Sequence, residues 1–330
     1  MKQPALAIAL LTLVGTTIAD DVYQASSSEP TPEETLMLEY LNRFRADPAA
    51  DADRIAPANG QVVGIFGDVD LAMFRSEMRA LKSAPPLVFN LQLLDAARKH
   101  SHYMIRNQLT HTEDSSKPGF TGKEPGDRCE KAGYRGCTGE NAYRDARDPW
   151  FCHVGFIVDF GPGGTGGMQP GRGHRTNMAN PRSREIGLGG VAHSDRLSVT
   201  HNFGNRGVPR FAGGVIYIDT NANGFYDLGE GRGGVTITAS DGSRAVTWAS
   251  GAYSIELKSA AAVTLGAESS GVRSSKAFPA GSDNLGFSWA VPQKADLDRA
   301  DKLLAEFDRV KDPESPAGFK AKLALYIATK

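Results

Sequence analysis

Between Arg206 and Pro209 the hydrophobic pattern of this chain changes period, and that break limits what it can fold into. Before it, apolar residues recur at helical spacing in several long stretches. After it, from Phe211 to Pro292, they fall into short runs such as "GGVIYID", "GGVTITAS", "GAYSIEL", "AAVTLGA" and "LGFSWAV", separated by turn residues. Such regular short runs predict a small all-β sandwich. A length of 330 residues leaves room for both units.

On the helical side, Thr31 is placed to cap a helix, with Pro32 at its first position and Glu34 completing a capping box. Leu36, Met37, Tyr40, Leu41 and Phe44 follow in register, and Pro48 is expected to end the run. A second helix is predicted after Asn90, from Leu91 to about Asn107, with Leu93, Ala97, His100 and Met104 on one narrow face. Shorter helices are expected near 69–82 and 150–158. "EIGLGGV" and "RLSVTHNFG" read as two strands joined by a turn around Ala192–Asp195. At the far end, 295–310 and the run from Phe319 to Ile327 read as helices of a C-terminal segment spanning 293–330. The fold class expected is therefore α+β.

The first residues, "MKQPALAIALLTLVGTTIADD", combine one lysine, an apolar run and small residues. They fit a secretory signal peptide cut after Ala19, followed by a linker over 20–33, and they place the protein outside the cell or in its envelope. The apolar run is too short and too diluted for a membrane span, so none is expected in the mature chain. Cleavage moves the formal charge from −1 to −2, and neither value gives a field that would select nucleic acid. An oxidising compartment allows one disulfide among Cys129, Cys137 and Cys152. Cys129 with Cys137 is the favoured pair, since both lie in a polar loop region, but the sequence does not settle it.

The "HSH" at 100–102 invites a metal reading that helix geometry opposes, because residues two apart point to nearly opposite sides. His100 is expected in the core and His102 at the surface. The glycine run "GPGGTGGMQPGRG" is followed by no Lys-Ser/Thr, which excludes a phosphate loop, and no G-x-S-x-G elbow supports a nucleophilic serine. Three fragments remain: "LTHTE" with His111, "CTGENAY" with Glu140, and "GRGHRTNM" with His174. Two imidazoles and a carboxylate can hold a divalent metal, or can simply pin three loops together.

Taken in order, "LEYLNRFRADP", "LQLLDAARKHSHYM" with "LTHTE", "GDRCEKAGYRGCTGENAY", "GHRTNMANPRSREIGLG" and "SVTHNFG" resemble the CAP superfamily. This comprises the cysteine-rich secretory, antigen 5 and pathogenesis-related 1 proteins, and the "GHR" form is similar to its bacterial type. The resemblance covers about residues 34–207. It implies an α-β-α sandwich with a cleft lined by two histidines and two acids, here His111, Glu140, His174 and, following the tryptophan, Asp159. His201 stands where the family often has glutamine, either as a third imidazole near the cleft or as a core residue. The resemblance favours a binding module over an enzyme, with zinc on His111 and His174 as an option. The ligand it implies is a small molecule, a lipid or another extracellular compound.

"DTNANGFYDLGE", residues 219–230, follows the calcium-loop spacing at every position. Asp219, Asn221, Asn223, the Phe225 carbonyl, Asp227 and Glu230 would supply hard oxygen donors, and Gly224 the sharp turn. The β-like flanks argue against a helix-loop-helix hand, and the loop resembles those of the B-type repeats of bacterial surface adhesins. Over 211–292 this predicts a calcium-stabilised β-sandwich. Three functions follow: an exported ligand-binding protein, a metal-dependent hydrolase of peptide or ester bonds with Glu140 as general base, or an adhesion scaffold with a vestigial cleft.

Overall fold

A computed structural model of the chain describes residues 22–57, 68–208, 210–293 and 302. The expected signal peptide, and the C-terminal helices apart from Gln293 and Lys302, lie outside the described residues.

Helix α1 (Pro32–Ala46) opens on the expected capping box, with the Glu34 backbone N–H donating to Thr31 Oγ1 and the Thr31 N–H to Glu34 Oε2. Glu34 is also fully buried and receives the Arg98 guanidinium at 2.6 Å, so one residue both starts α1 and ties it to a distant helix. The run ends at Ala46, ahead of Pro48 as expected, and a second helix begins at once: Asp47 caps Ala50 and Pro48 becomes the first residue of α2 (Pro48–Ile55). A proline is tolerated there because the first helical N–H has no intrahelical partner to lose. After α3 (Leu71–Ala80), strand β1 (Val88–Phe89) leads into α4 (Leu91–Arg106), capped by Asn90. The stretch expected to be loop contains α5 (Pro125–Lys131), and then come β2 (Cys137–Ala146), α6 (Pro149–Val158) and α7 (Gly173–Ala179).

Strands β3 (Glu185–His193) and β4 (Arg196–Gly204) form the expected hairpin and complete a sheet of order β1-β3-β4-β2. Gly187 and Gly189 let β3 lie directly against the backbone of α4 at Leu93 and at Ala97–Arg98, where any Cβ would collide. On β3's opposite side, Leu188 joins a core with Leu41, Phe44, Phe74, Phe156 and Phe203.

The C-terminal unit is all strand: β5 (Arg210–Tyr217), β6 (Thr236–Ala239), β7 (Arg244–Val246), β8 (Ala252–Leu257), β9 (Val263–Ser269), β10 (Val272–Phe278), β11 (Leu285–Gly286) and β12 (Trp289–Ala290). One sheet runs β10-β9-β6-β7, while β5 pairs antiparallel with β8 and parallel with β11 and β12. Both contribute to a second core around Ile216, Ile237, Tyr253, Leu265 and Phe287. Strand β10, "VRSSKAF", carries too little apolar alternation to stand out in the sequence.

The units pack on each other. Thr35 donates to Ser250 at 2.8 Å, the Asn284 amide donates to the carbonyls of Pro86 and Arg184, and Trp248 packs edge-on against Phe89. A third cluster joins Leu36 of α1 to Val215, Tyr217 and Tyr226. No described helix is long and apolar enough to cross a membrane.

Candidate functional site

The four cleft residues arrive from four places: His111 from the loop after α4, Glu140 from β2, Asp159 from the C-cap of α6, and His174 from the first turn of α7. The structure joins them as two pairs. His111 Nδ1 lies 2.9 Å from Glu140 Oε1, and His174 Nδ1 lies 2.7 Å from Asp159 Oδ1. The pairs meet along a seam between β2 and α7. There the Asn141 amide donates to the His174 carbonyl, and the Asn177 amide donates to the Glu140 carbonyl and to Asn141 Oδ1.

Glu140 is buried and doubly held, since its second oxygen accepts from Arg128 at 2.7 Å. Burial alone would raise its pKa. The hydrogen bond to His111 and the fields of His100 and Arg128 more than offset this, so the carboxyl sits below the usual carboxylate range. Arg128 is itself fully buried and donates to the carbonyls of His111, Gly122 and Lys123. Behind it, His100 is buried as expected, with Nδ1 on Glu113 and Nε2 on the Thr110 carbonyl. Neither Arg128 nor the His100–Glu113 pair stood out in the sequence, because no spacing rule links residues of α4, its following loop and α5.

Asp159 is built differently. It caps α6 in the left-handed region at φ 57°, which turns the chain sharply and aims its carboxylate at α7. Its Oδ2 accepts from the His174 backbone N–H while Oδ1 holds the ring. Arg175 anchors the turn: it is buried, donates to the carbonyls of Ile157 and Val158, and pairs with Glu77. His174 is 22% exposed and His111 53% exposed at the side chain. Neither Nε2 has a hydrogen bond to the described residues. Beside His174 opens a cavity of about 590 Å³, lined by Leu109, Tyr143, Phe156, Phe160, Pro162 and Gln169 among others.

His201 is not a cleft residue. It is 2% exposed, and Phe156 stands between it and His174, with ring centroids 4.7 Å from His201 and 5.0 Å from His174. Neither of its ring nitrogens has a partner among the described residues, and burial, with His153 and His174 nearby, pulls its pKa down to about 3. His102, expected at the surface, is half-buried against the Tyr23 ring. The three cysteines are free thiols; Cys129 and Cys137 are in mutual hydrogen-bond contact, and Cys152 is buried in α6.

The 219–230 loop is closed by its own bonds. The amides of Asn221 and Asn223 both donate to Asp227 Oδ2, at 2.8 and 2.7 Å, and Asp219 accepts from the N–H groups of Asn223 and Gly224. Glu230 is buried and spans the base of the loop, accepting from Thr220 and from the Asp227 N–H. Among the described residues no three His, Cys, Asp or Glu side chains form a ready-made metal shell.

No curated protein and no solved structure matches the chain. A sequence model of the cysteine-rich secretory protein family, CAP, matches residues 38–203, half of the chain. That segment holds α1 through β4 and all four cleft residues, and the chain belongs to the cysteine-rich secretory protein family.

Proposed function

We propose that this is an exported binding protein whose cleft takes a small ligand, with an apolar part in the groove beside His174 and a polar part at the two imidazoles. The observation that carries this is the common build of the two histidines. Each is gripped at Nδ1 by a buried carboxylate, which fixes ring orientation and tautomer and leaves Nε2 outward. Carboxylate-backed imidazoles are good donors for a divalent metal such as zinc. With only two protein nitrogens the remaining positions would fall to ligand or water. Bound there, zinc would act as a Lewis acid on ligand oxygens; the chain's own part is to orient the rings and line the apolar groove.

Glu140 is poorly suited to the hydrolase alternative. A general base needs a free oxygen and a pKa near the working pH, whereas both Glu140 oxygens are engaged and its carboxyl is held low. Zinc titration by calorimetry tests the binding reading: wild type should take up the metal and His111→Ala/His174→Ala should not. Equal uptake by both, or by neither, sinks the metal part.

For the second unit, the donor set supports calcium. Five of the six positions offer side-chain oxygens and the sixth the Phe225 carbonyl, all hard donors, and two amides already screen Asp227 Oδ2 as a cation would. Asp219, Asn221, Asn223, the Phe225 carbonyl, Asp227 and Glu230 would hold the ion, as in the adhesin repeats that the loop resembles. The melting temperature should rise with calcium and fall with chelator, and Asp219→Ala should abolish the response. A flat melt in wild type ends this reading.

A further inference from the structure

The 219–230 loop is a contact surface as well as a candidate cation site, because two of its own residues reach the first unit. The Phe225 ring stacks on Tyr40 of α1, with centroids 5.4 Å apart and planes 12° apart. The Arg43 guanidinium lies 4.6 Å from the Phe225 centroid, 5.0 Å from Tyr40 and 5.5 Å from Trp150, so rings from the loop, α1 and α6 share one cation. Arg43 also bonds Asp51 at 3.3 Å, and Asp51 holds His153 of α6 at 2.8 Å. Tyr226 packs with Leu36 and Tyr217 and is 1% exposed, and its hydroxyl has no partner among the described residues. Burial and the surrounding Glu33, Glu39, Glu230 and Asp227 push its phenol up. The loop end of the interface is thus apolar, short of hydrogen bonds and rich in negative charge.

We propose that the loop is a cation-operated latch between the two units, in which calcium binding at 219–230 holds Phe225 and Tyr226 against α1 and, through Arg43, Asp51 and His153, stiffens the helix that ends in Asp159. This rests on the calcium reading above. A bound cation would fix the Phe225 peptide through its carbonyl, and the ring on that peptide is the one wedged under Arg43. A divalent ion also offsets the repulsion among Asp219, Asp227 and Glu230, which otherwise opposes packing this segment against the first unit. The other end of the interface, where Gly213 lies against Val88 and Asn284 bonds Pro86 and Arg184, does not involve the loop. Calcium is therefore expected to tighten one end of the contact and not to create the whole of it.

Phe225 allows a clean test, since its proposed ligand atom is the backbone carbonyl and its proposed latch is the side chain. Hydrogen exchange by mass spectrometry on the full chain, in calcium and in chelator, should show calcium slowing exchange across α1 and the first turns of α6 by about tenfold. Phe225→Ala should still bind calcium by calorimetry, weakened by no more than the about tenfold that reciprocal loss of the latch implies, and should lose that slowing. Arg43→Gln, which leaves the loop intact, should lose it as well, and Asp219→Ala should lose both binding and slowing. Calcium heat in wild type with slower exchange only inside the loop and neighbouring strands overturns the latch alone. Retained slowing in Phe225→Ala and Arg43→Gln also overturns it. No calcium heat in wild type overturns the latch together with the calcium reading beneath it.

Discussion

Glu140 and Asp159 each hold a histidine Nδ1, at 2.9 and 2.7 Å, yet among the described residues only Glu140 is bonded to a buried cation. The first pair is backed by Arg128, His100 and Glu113, all buried, and presents an imidazole that is half in solvent. Among the described residues no cation is bonded to the carboxylate of the second pair, and the buried Arg175 nearby acts on it only through its field. That pair is set by backbone, through the left-handed turn at Asp159 and the His174 N–H, and its imidazole borders the apolar groove. The same dyad is thus fixed once by charge and once by chain geometry. The first should be costly to disturb and the second adjustable.

The largest effect should come from Arg128→Met, which leaves Glu140 as a buried carboxylate without its ion-pair partner. Denaturant unfolding should show a loss of about 3–5 kcal/mol, the usual cost of removing one member of a buried pair. A loss below about 1 kcal/mol would mean that the charge network does not hold the first pair. Asp159→Asn, by contrast, should cost less stability but weaken the proposed zinc uptake by about 10–100-fold, because it removes the carboxylate behind the His174 imidazole. If the two substitutions destabilise equally, the contrast between the pairs fails.

Acid should separate the sides further. On the first side, Glu140 titrates below its ordinary value of 4.5 in the folded chain, so its contribution is present above that pH and lost as pH falls. On the second side the sensitive group is His201, packed behind Phe156, with its pKa drawn from 6.5 to about 3. The unfolded chain takes a proton there first, so stability declines as pH falls from about 6.5 towards 3. His201→Leu removes two unsatisfied nitrogens and should stabilise the protein by about 1 kcal/mol, more at pH 5 than at pH 8 by thermal melts. An equal shift at both pH values would show that packing and not protonation is responsible. The smallest effect should be that of Leu109→Ala on the groove rim, where Leu109 is 56% exposed. Stability should change by less than about 0.5 kcal/mol, while the fluorescence of a bound apolar dye should fall; unchanged dye binding would separate the groove from the ligand site.

Much of this was legible because it is local. The capping box at Thr31 and Glu34, the α4 stripe, the β3–β4 hairpin and the order of donors in 219–230 each depend on residues within a few positions of one another. The cleft acids and histidines were reached through resemblance, since 29 residues separate His111 from Glu140 and 15 separate Asp159 from His174. Pro48 ends α1 as expected, but that it also starts α2 was not legible, because only the Asp47 cap decides whether the chain re-enters a helix there.

Hydrogen-bonding and hydrophobic periodicity act over one or two turns, so the chain alone could specify its helices, its hairpin and the twelve-residue loop at 219–230 that closes on its own side chains. Which buried charges would find each other was decided only by packing. Arg98 meets Glu34 across 64 residues and His153 meets Asp51 across 102, and no local rule carries that far. The same holds for the placing of Arg128 behind Glu140, of Phe156 between His174 and His201, and of Phe225 beneath Arg43. Burying an ion or a ring stabilises only when a matching surface closes over it, and that surface exists only once distant segments have come together.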